Sequence, residues 1–304
     1  MFFDNQQLAS RKRARLAVPP PVPDTGWRPP QYLPELRTAS VISFDVETYE
    51  EDFDKSGPGW ARGKGHIVGV AIAAMWPNGE RGKWYFPVRH HIEKEWNLNP
   101  TKVFAWLKVM LETDIPKIGA NLIYDIGWLT EENIFVKGQL HDVQFAEALI
   151  DEDALVALDT LADKYLGASK TTSDLYDWLA RAYGGKPTGA QRANIYKAPA
   201  RLVGPYGEDD ADLPINILWA QWPILQQQNL VNLFKMECNL IVLLIKMRRQ
   251  GVKIDMHQAE KMYADIGVKV KQMYEDLYQK TGLRVNVNSG DDLARLFKAT
   301  GIVS

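Results

Sequence analysis

One cysteine, Cys238, stands in 304 residues, so no intrachain disulfide framework braces this chain, and a reducing cytoplasm suits it. It falls in an apolar helical pattern, where a small core residue is the plainer reading. Long apolar runs are missing too. No stretch approaches the length that spans a bilayer, which argues against an integral membrane protein. The opening MFFDNQQLAS sets no apolar region behind a charged start, which argues against secretion. Excess positive charge is absent as well. At a formal net charge of −2 the chain is no general polyanion binder, so contact with phosphate would need local patches or metal ions. The five histidines (His66, His90, His91, His141 and His257) lack zinc-site spacing, and nothing reads GxxxxGK[ST] or GxGxxG. His90 and His91 form an adjacent pair, with a surface loop as the plainer reading.

What is present begins with 46% hydrophobic residues, enough for one large domain or two smaller ones. Residues 1–38 read as a disordered tail. Arg11–Arg15 is a basic run (RKRAR), and Val18–Pro23 (VPPPVP) should be extended. From Ala39 the pattern turns to strand: SVISFD, then IVGVAIAAMW (67–76) and KWYFPV (83–88). Asn78-Gly79 between the last two marks a hairpin turn, which predicts an antiparallel meander. Helices at 101–112, near 123–130, and at 142–150, 158–167 and 173–184 follow, with the short apolar piece PKIGA among them. That order predicts an α/β fold with a mixed sheet flanked by helices. Beyond about residue 230 two long helices and a short one, with Ser289 or Asn288 as a cap, suggest a helical C-terminal segment.

Asp45 and Glu47 close the first strand run and point to one face, two residues apart. Two adjacent carboxylates repel, so either solvent surrounds them or a cation lies between them. Two more segments offer acids on otherwise apolar elements. In GANLIYDIGWL, Asn121 and Asp125 are one helical turn apart. In YGEDDADLPINIL, Tyr206 and Asp210 are again i and i+4, while Asp209 and Asp212 fall on other faces. Hard oxygen ligands of this kind suit Mg²⁺. The stretch 184–205 carries Lys186, Arg192, Lys197 and Arg201 with Tyr196. It is open to reading as a basic patch reaching a strand or as a solvated segment with a short helix.

FDVET, NLIYD and YGEDD together resemble the three motifs of the DnaQ-like 3′→5′ exonucleases, in the subclass whose third motif is Tyr-x-x-x-Asp. More narrowly they resemble the proofreading domain of family A DNA polymerases, as does HDVQFAEALIDED followed by LDTLADKYLG. ECNLIVLLIKMRRQGVKIDMHQAEKM and RVNVNSGDDLARLFKATGI look like the entry to a polymerase thumb. The resemblance implies a ribonuclease H-like exonuclease domain over 39–229 and a polymerase-like helical segment over 230–304. None of that family's polymerising motifs occurs in these residues, so the expectation is a nuclease from a split or shortened polymerase, working in a bacterial or phage-infected cytoplasm.

By the same resemblance Asp45, Glu47, Asp125 and Asp210 hold two divalent ions, Mg²⁺ or Mn²⁺, and Tyr206 orients the attacking water. Val46, Thr48, Asn121 and Tyr124 hold the terminal nucleotide of a single-stranded DNA 3′ end. Tyr49, Phe53, Trp128 and Tyr124 are candidates for base stacking. A polymerase chain is the implied partner. An RNase D-like exoribonuclease and a catalytically degenerate scaffold are the rival readings.

Overall fold

The computed structural model describes residues 19–51, 53–167 and 173–301. The basic run at 11–15 lies outside them, as does the Phe53 side chain.

β1 (Val41–Glu50) is the middle strand of a five-stranded sheet. β2 (Gly65–Met75) and β3 (Arg81–Pro87) form the antiparallel meander on one side of it. The short strands β4 (Lys117–Gly119) and β5 (Leu140–Asp142) run parallel on the other, giving the order β3-β2-β1-β4-β5. This is the ribonuclease H-like mixed sheet expected from the motifs. Both sheet faces are covered, so β2 is near-continuous in apolar residues rather than alternating, and the first four residues of β1 are all buried.

Helices α1 (Phe53–Ser56), α2 (Pro100–Leu111), α3 (Leu122–Glu131), α4 (Val143–Ile150), α5 (Leu158–Leu166), α6 (Ser173–Tyr183), α7 (Ala200–Gln227) and α8 (Val231–Gln250) complete the first compact unit, which ends at Gln250. Successive residues of β3 show which helix covers which face. Tyr85 lies against Gly207 of α7, and the Phe86 ring lies 4.9 Å from the Trp106 ring of α2, so α7 and α2 cover opposite faces. Gly69 of β2 has no alternative, because a Cβ there would sit 1.8 Å from the Tyr85 hydroxyl.

Three features differ from the sequence expectations. First, residues 19–38 form neither helix nor strand but are laid along the domain. The indole of Trp178 donates to the Pro20 carbonyl at 3.1 Å, and that of Trp106 donates to the Pro34 carbonyl at 2.8 Å. Trp27 donates to Glu208 at 2.8 Å, and Leu36 is fully buried. Extended proline-rich backbone leaves its carbonyls without internal partners, and distant tryptophans supply the donors.

Second, α7 starts at Ala200 and runs through Pro205, where a loop to Pro205 was expected. Pro205 cannot donate to the carbonyl of Arg201, and the Thr25 hydroxyl donates to it instead at 2.8 Å. Third, α8 packs on the first unit through the stripe Phe234, Cys238, Ile241 and Ile245, all buried. The first compact unit therefore extends to Gln250.

The second unit, from Gly251, holds α9 (Met256–Thr281) and α10 (Gly290–Ala299), capped by Asp255 and Ser289, which accept from Gln258 and Asp292 amides. Among the described residues no helix is long and apolar enough to cross a membrane.

Candidate active site

β1 outlasts its parallel neighbour: pairing with β4 covers Ile42 and Ser43, and the acids follow beyond it. Crevices at the carboxyl ends of parallel strands, where the neighbours change direction, are the usual ligand sites of such sheets. A bulge between Glu47 and Thr48 re-aims the residues after it, a device common beside active sites.

Carboxylate oxygens of Asp45, Glu47 and Asp210 all lie within 4.8 Å of one another. Glu47 and Asp210 are buried and Asp45 is half-buried. Asp210 reaches the cluster because α7 crosses β1, β2 and β3 and presents Tyr206 and Asp210 one turn apart on that face. Asp125, on the first turn of α3, stands outside the triplet but beside it, and its Oδ1 accepts from the Val46 amide at 3.2 Å. Burial raises its carboxyl pKa well above the carboxylate range, and the nearby Asp45 raises it further.

The nine residues assigned to the ions, the water and the terminal nucleotide line one cleft of about 190 Å³: Asp45, Glu47, Asp125, Tyr206 and Asp210, with Val46, Thr48, Asn121 and Tyr124. Burial, then the negative charges of Asp210 and Glu47, push the Tyr206 hydroxyl far above its ordinary value. The Thr48 hydroxyl and the Tyr124 hydroxyl are hydrogen-bonded to each other. Asn121 turns the chain from β4 into α3 in the left-handed region (φ 64°), which asparagine tolerates better than most residues.

Three residues beyond those nine also shape the site, one of them, Arg192, from the basic stretch 184–205. Arg192 and Ile195, from the 3₁₀ segment Gly189–Lys197, line the cleft, and Arg192 is the one cation among its described lining residues. Buried Asp142 caps two helices at once. Its Oδ2 accepts from Leu122 at the start of α3 (2.7 Å), and its Oδ1 accepts from Gln144 in α4 (2.9 Å). Burial raises its carboxyl to about 6, against the pull of those amides. An acid directly before VQFAEALI is the cap signal that would have found it.

The stacking candidates separate. Tyr124 lines the carboxylate cleft and Tyr49 a neighbouring one. Trp128 is core, its indole donating to Glu50 at 2.8 Å. Asp209 and Asp212 lie outward and pair with Lys83 (2.7 Å) and Arg81 (3.9 Å) on β3. His90 is a buried structural residue and His91 is exposed.

The donor set fits a hard divalent cation. It is all oxygen, three carboxylates converge in a small cleft with a fourth beside them, and their mutual repulsion is relieved by positive charge.

Residues 29–218 match the family model described as 3′-5′ exonuclease. DNA polymerase DpoZ of Salmonella phage PMBT28 is 29% identical over 269 residues, covering 88% of this chain and 40% of that protein. A DNA-directed DNA polymerase of Pseudomonas phage M6 is 32% identical over 230 residues, covering 73% of this chain and 33% of that protein. The chain thus spans well under half the length of these relatives. Among solved structures, the POL domain of Pol1 from M. smegmatis, in complex with DNA primer-template and dNTP, superposes with a TM-score of 0.54. Its identity is 16%, over 85% of this chain and 37% of that one, a likeness of fold alone.

Proposed function

The chain belongs to the 3′-5′ exonuclease family, and from that membership we propose that it hydrolyses single-stranded DNA from the 3′ end in a two-metal reaction, proofreading for a polymerase. The observation that carries this reading is the convergence of Asp45, Glu47 and Asp210 within 4.8 Å, in one cleft with Asp125 and Tyr206. DNA as substrate and a polymerase as partner are supported by the relatives, which are named as DNA polymerases.

Asp45, Glu47, Asp125 and Asp210 would hold two Mg²⁺ or Mn²⁺ ions, which activate a water and offset the charge that develops on the leaving 3′ oxygen. The protein's own groups have separate tasks. Asp45, the least buried of the converging acids, would be one of the ligands that hold the cations. Burial raises the Tyr206 hydroxyl above its ordinary value, so it would orient the water by hydrogen bonding rather than take its proton. Thr48 and Tyr124, already bonded to each other, and Asn121 form the wall that holds the terminal nucleotide. Arg192 is placed to pair with a phosphate oxygen of the strand.

The test is digestion of a 5′-labelled single strand and of a 3′-mismatched primer-template, with Mg²⁺ and with EDTA, beside a matched RNA. A Mg²⁺-dependent ladder shortening from the DNA 3′ end is the expected result. Preferential loss of the RNA would move the reading to an exoribonuclease. No cleavage by a folded, DNA-binding protein would move it to a scaffold.

A further inference from the structure

The turn of α7 that carries Tyr206 is built from residues that disfavour a helix. Gly204, Pro205 and Gly207 surround Tyr206, and glycine and proline have the poorest helix propensities. Pro205 also leaves the Arg201 carbonyl without its helical donor. Yet the same turn presents Tyr206, and the next one Asp210, to the carboxylate cleft.

The segment 19–38 supports that turn from outside, through Thr25 and Trp27. The Thr25 hydroxyl gives the Arg201 carbonyl its donor at 2.8 Å. The Trp27 indole lies directly against Gly204, where an added Cβ would stand 2.2 Å from Cε2 of the ring. Its Nε1 donates to Oε1 of Glu208 at 2.8 Å, and the same oxygen accepts from the Tyr85 amide of β3 at 3.2 Å. Arg201, Gly204 and Glu208 follow helical spacing, so one face of α7 takes all three contacts. Tyr206 and Asp210 stand about half a turn around the helix from it.

Trp27 is itself held in place. Its ring stacks on that of Trp96 at 6.3 Å and 21°, and the Arg201 guanidinium lies 4.7 Å from the Trp96 ring. Arg201 in turn donates from Nε to Oε2 of Glu93 at 3.0 Å. An indole beside a helix often serves as packing alone. Here a steric contact at Gly204 and a directional one at Glu208, one turn apart, fix the rotation of α7 as well as its place on the sheet. Thr25 and Trp27 also precede residue 29, where the family match begins.

We propose that Trp27, aided by Thr25, is a positioning residue for the cleavage reaction, holding from the far side of α7 the turn that aims Tyr206 at the attacking water. This rests on the nuclease reading of the carboxylate cleft.

The test compares kcat and KM on a 5′-labelled octathymidylate, (dT)8, with Mg²⁺ and well below the melting temperature. The full chain, Trp27→Ala, Trp27→Phe, Tyr206→Phe and the double variant Trp27→Ala/Tyr206→Phe would be measured. Trp27→Ala should lower kcat about tenfold, the loss expected of the Tyr206 hydroxyl itself, with KM within about twofold of wild type. In the Tyr206→Phe background the same substitution should cost about threefold at most, because residues that act through one another are not additive. Trp27→Phe keeps a ring against Gly204 but loses the donor, and its kcat should fall between those of wild type and Trp27→Ala. A lowered Tm with wild-type kcat in Trp27→Ala makes the residue packing alone and overturns the proposal. So does an undiminished loss in the Tyr206→Phe background, since the effect then bypasses Tyr206. If Trp27→Ala does not fold, Trp27→Phe carries the same comparison. If the wild type cleaves nothing, the nuclease reading fails separately and amide hydrogen exchange in EDTA decides the contact. Faster exchange confined to residues 201–211 in the Trp27 variants supports the hold on this turn, and unchanged exchange overturns it.

Discussion

The amide of Val46, the residue between the two acids of β1, donates to Oδ1 of Asp125 across 3.2 Å and ties the strand to α3. Asparagine at 125 keeps that acceptor and removes a charge that burial and Asp45 both oppose. Asp125→Asn should therefore melt at or above the wild-type temperature in EDTA. The rise in Tm on adding Mg²⁺ should shrink, because a ligand that binds only the folded state stabilises it by mass action. Cleavage should fall about 100-fold or more, as when one preorganised electrostatic contact is lost. Differential scanning fluorimetry in EDTA and in Mg²⁺ checks it; an undiminished Mg²⁺ response would remove Asp125 from the ligand set.

Tyr206→Phe separates orientation from proton transfer. The ring still packs beside Tyr176, at 6.1 Å between centroids, so the fold should hold. Loss of a general base costs about 10²–10⁴-fold, whereas loss of an orienting hydroxyl should cost about tenfold and leave the shape of the pH–rate profile unchanged. A profile that loses a limb in the variant would make Tyr206 a base after all.

Arg192 is half-exposed and is held by Asp159 at 2.8 Å, the guanidinium turned to a cleft otherwise lined by acids and neutral groups. If it meets a phosphate, Arg192→Met should lower kcat/KM on (dT)8 by about 10- to 100-fold, the range of one charge-assisted hydrogen bond. Arg192→Lys should recover only part of that, since it keeps the charge but not the fork. Steady-state kinetics equal to wild type in both variants would make the residue a surface latch to α5.

His90 gives stability a pH dependence. Its Nδ1 donates to the Ala198 carbonyl at 2.9 Å, which leaves Nε2 to accept from the Tyr85 hydroxyl at 2.7 Å. Burial lowers its pKa from 6.5 to about 4. Between those values the unfolded chain binds the proton that the folded one refuses, so stability rises with pH across that window, on the order of 3 kcal/mol. His141, also lowered to about 4, adds to the same slope. His90→Asn should be less stable at pH 7.5, because the Tyr85 hydroxyl loses its acceptor, yet show a flatter slope between pH 4.5 and 6.5. Urea unfolding over that range measures both, and parallel slopes would assign the effect elsewhere.

The residues of the carboxylate cleft were legible because their periodicities are local. Two-residue alternation pairs Asp45 with Glu47, and four-residue spacing pairs Tyr206 with Asp210. Asn78-Gly79 likewise announced the meander. Asn121 shows where such spacing misleads slightly: it flanks α3 in a left-handed turn and is not part of the helix. What stayed hidden is long-range. Pro20 and Pro34 find their tryptophan donors 158 and 72 residues away, which composition cannot reveal. The stripe on α8 announces a buried face but not the body it packs against. Arg192 reads as one basic residue of a loop until the fold turns it toward the acids.

Pro205, Pro214 and Pro223 all lie inside α7. Each costs a helix interior about 3 kcal/mol, so this segment cannot persist as a helix before the sheet exists to hold it. Tyr206 and Asp210 thus gain their spacing only as the chain completes its tertiary packing. In kinetic terms the cleft should be a late event: fragments and early collapsed states would carry the meander of β1 to β3 without any site that gathers cations. An incompletely folded chain would then lack the carboxylate cleft altogether, a dependence written into the backbone of the helix that bears Tyr206 and Asp210.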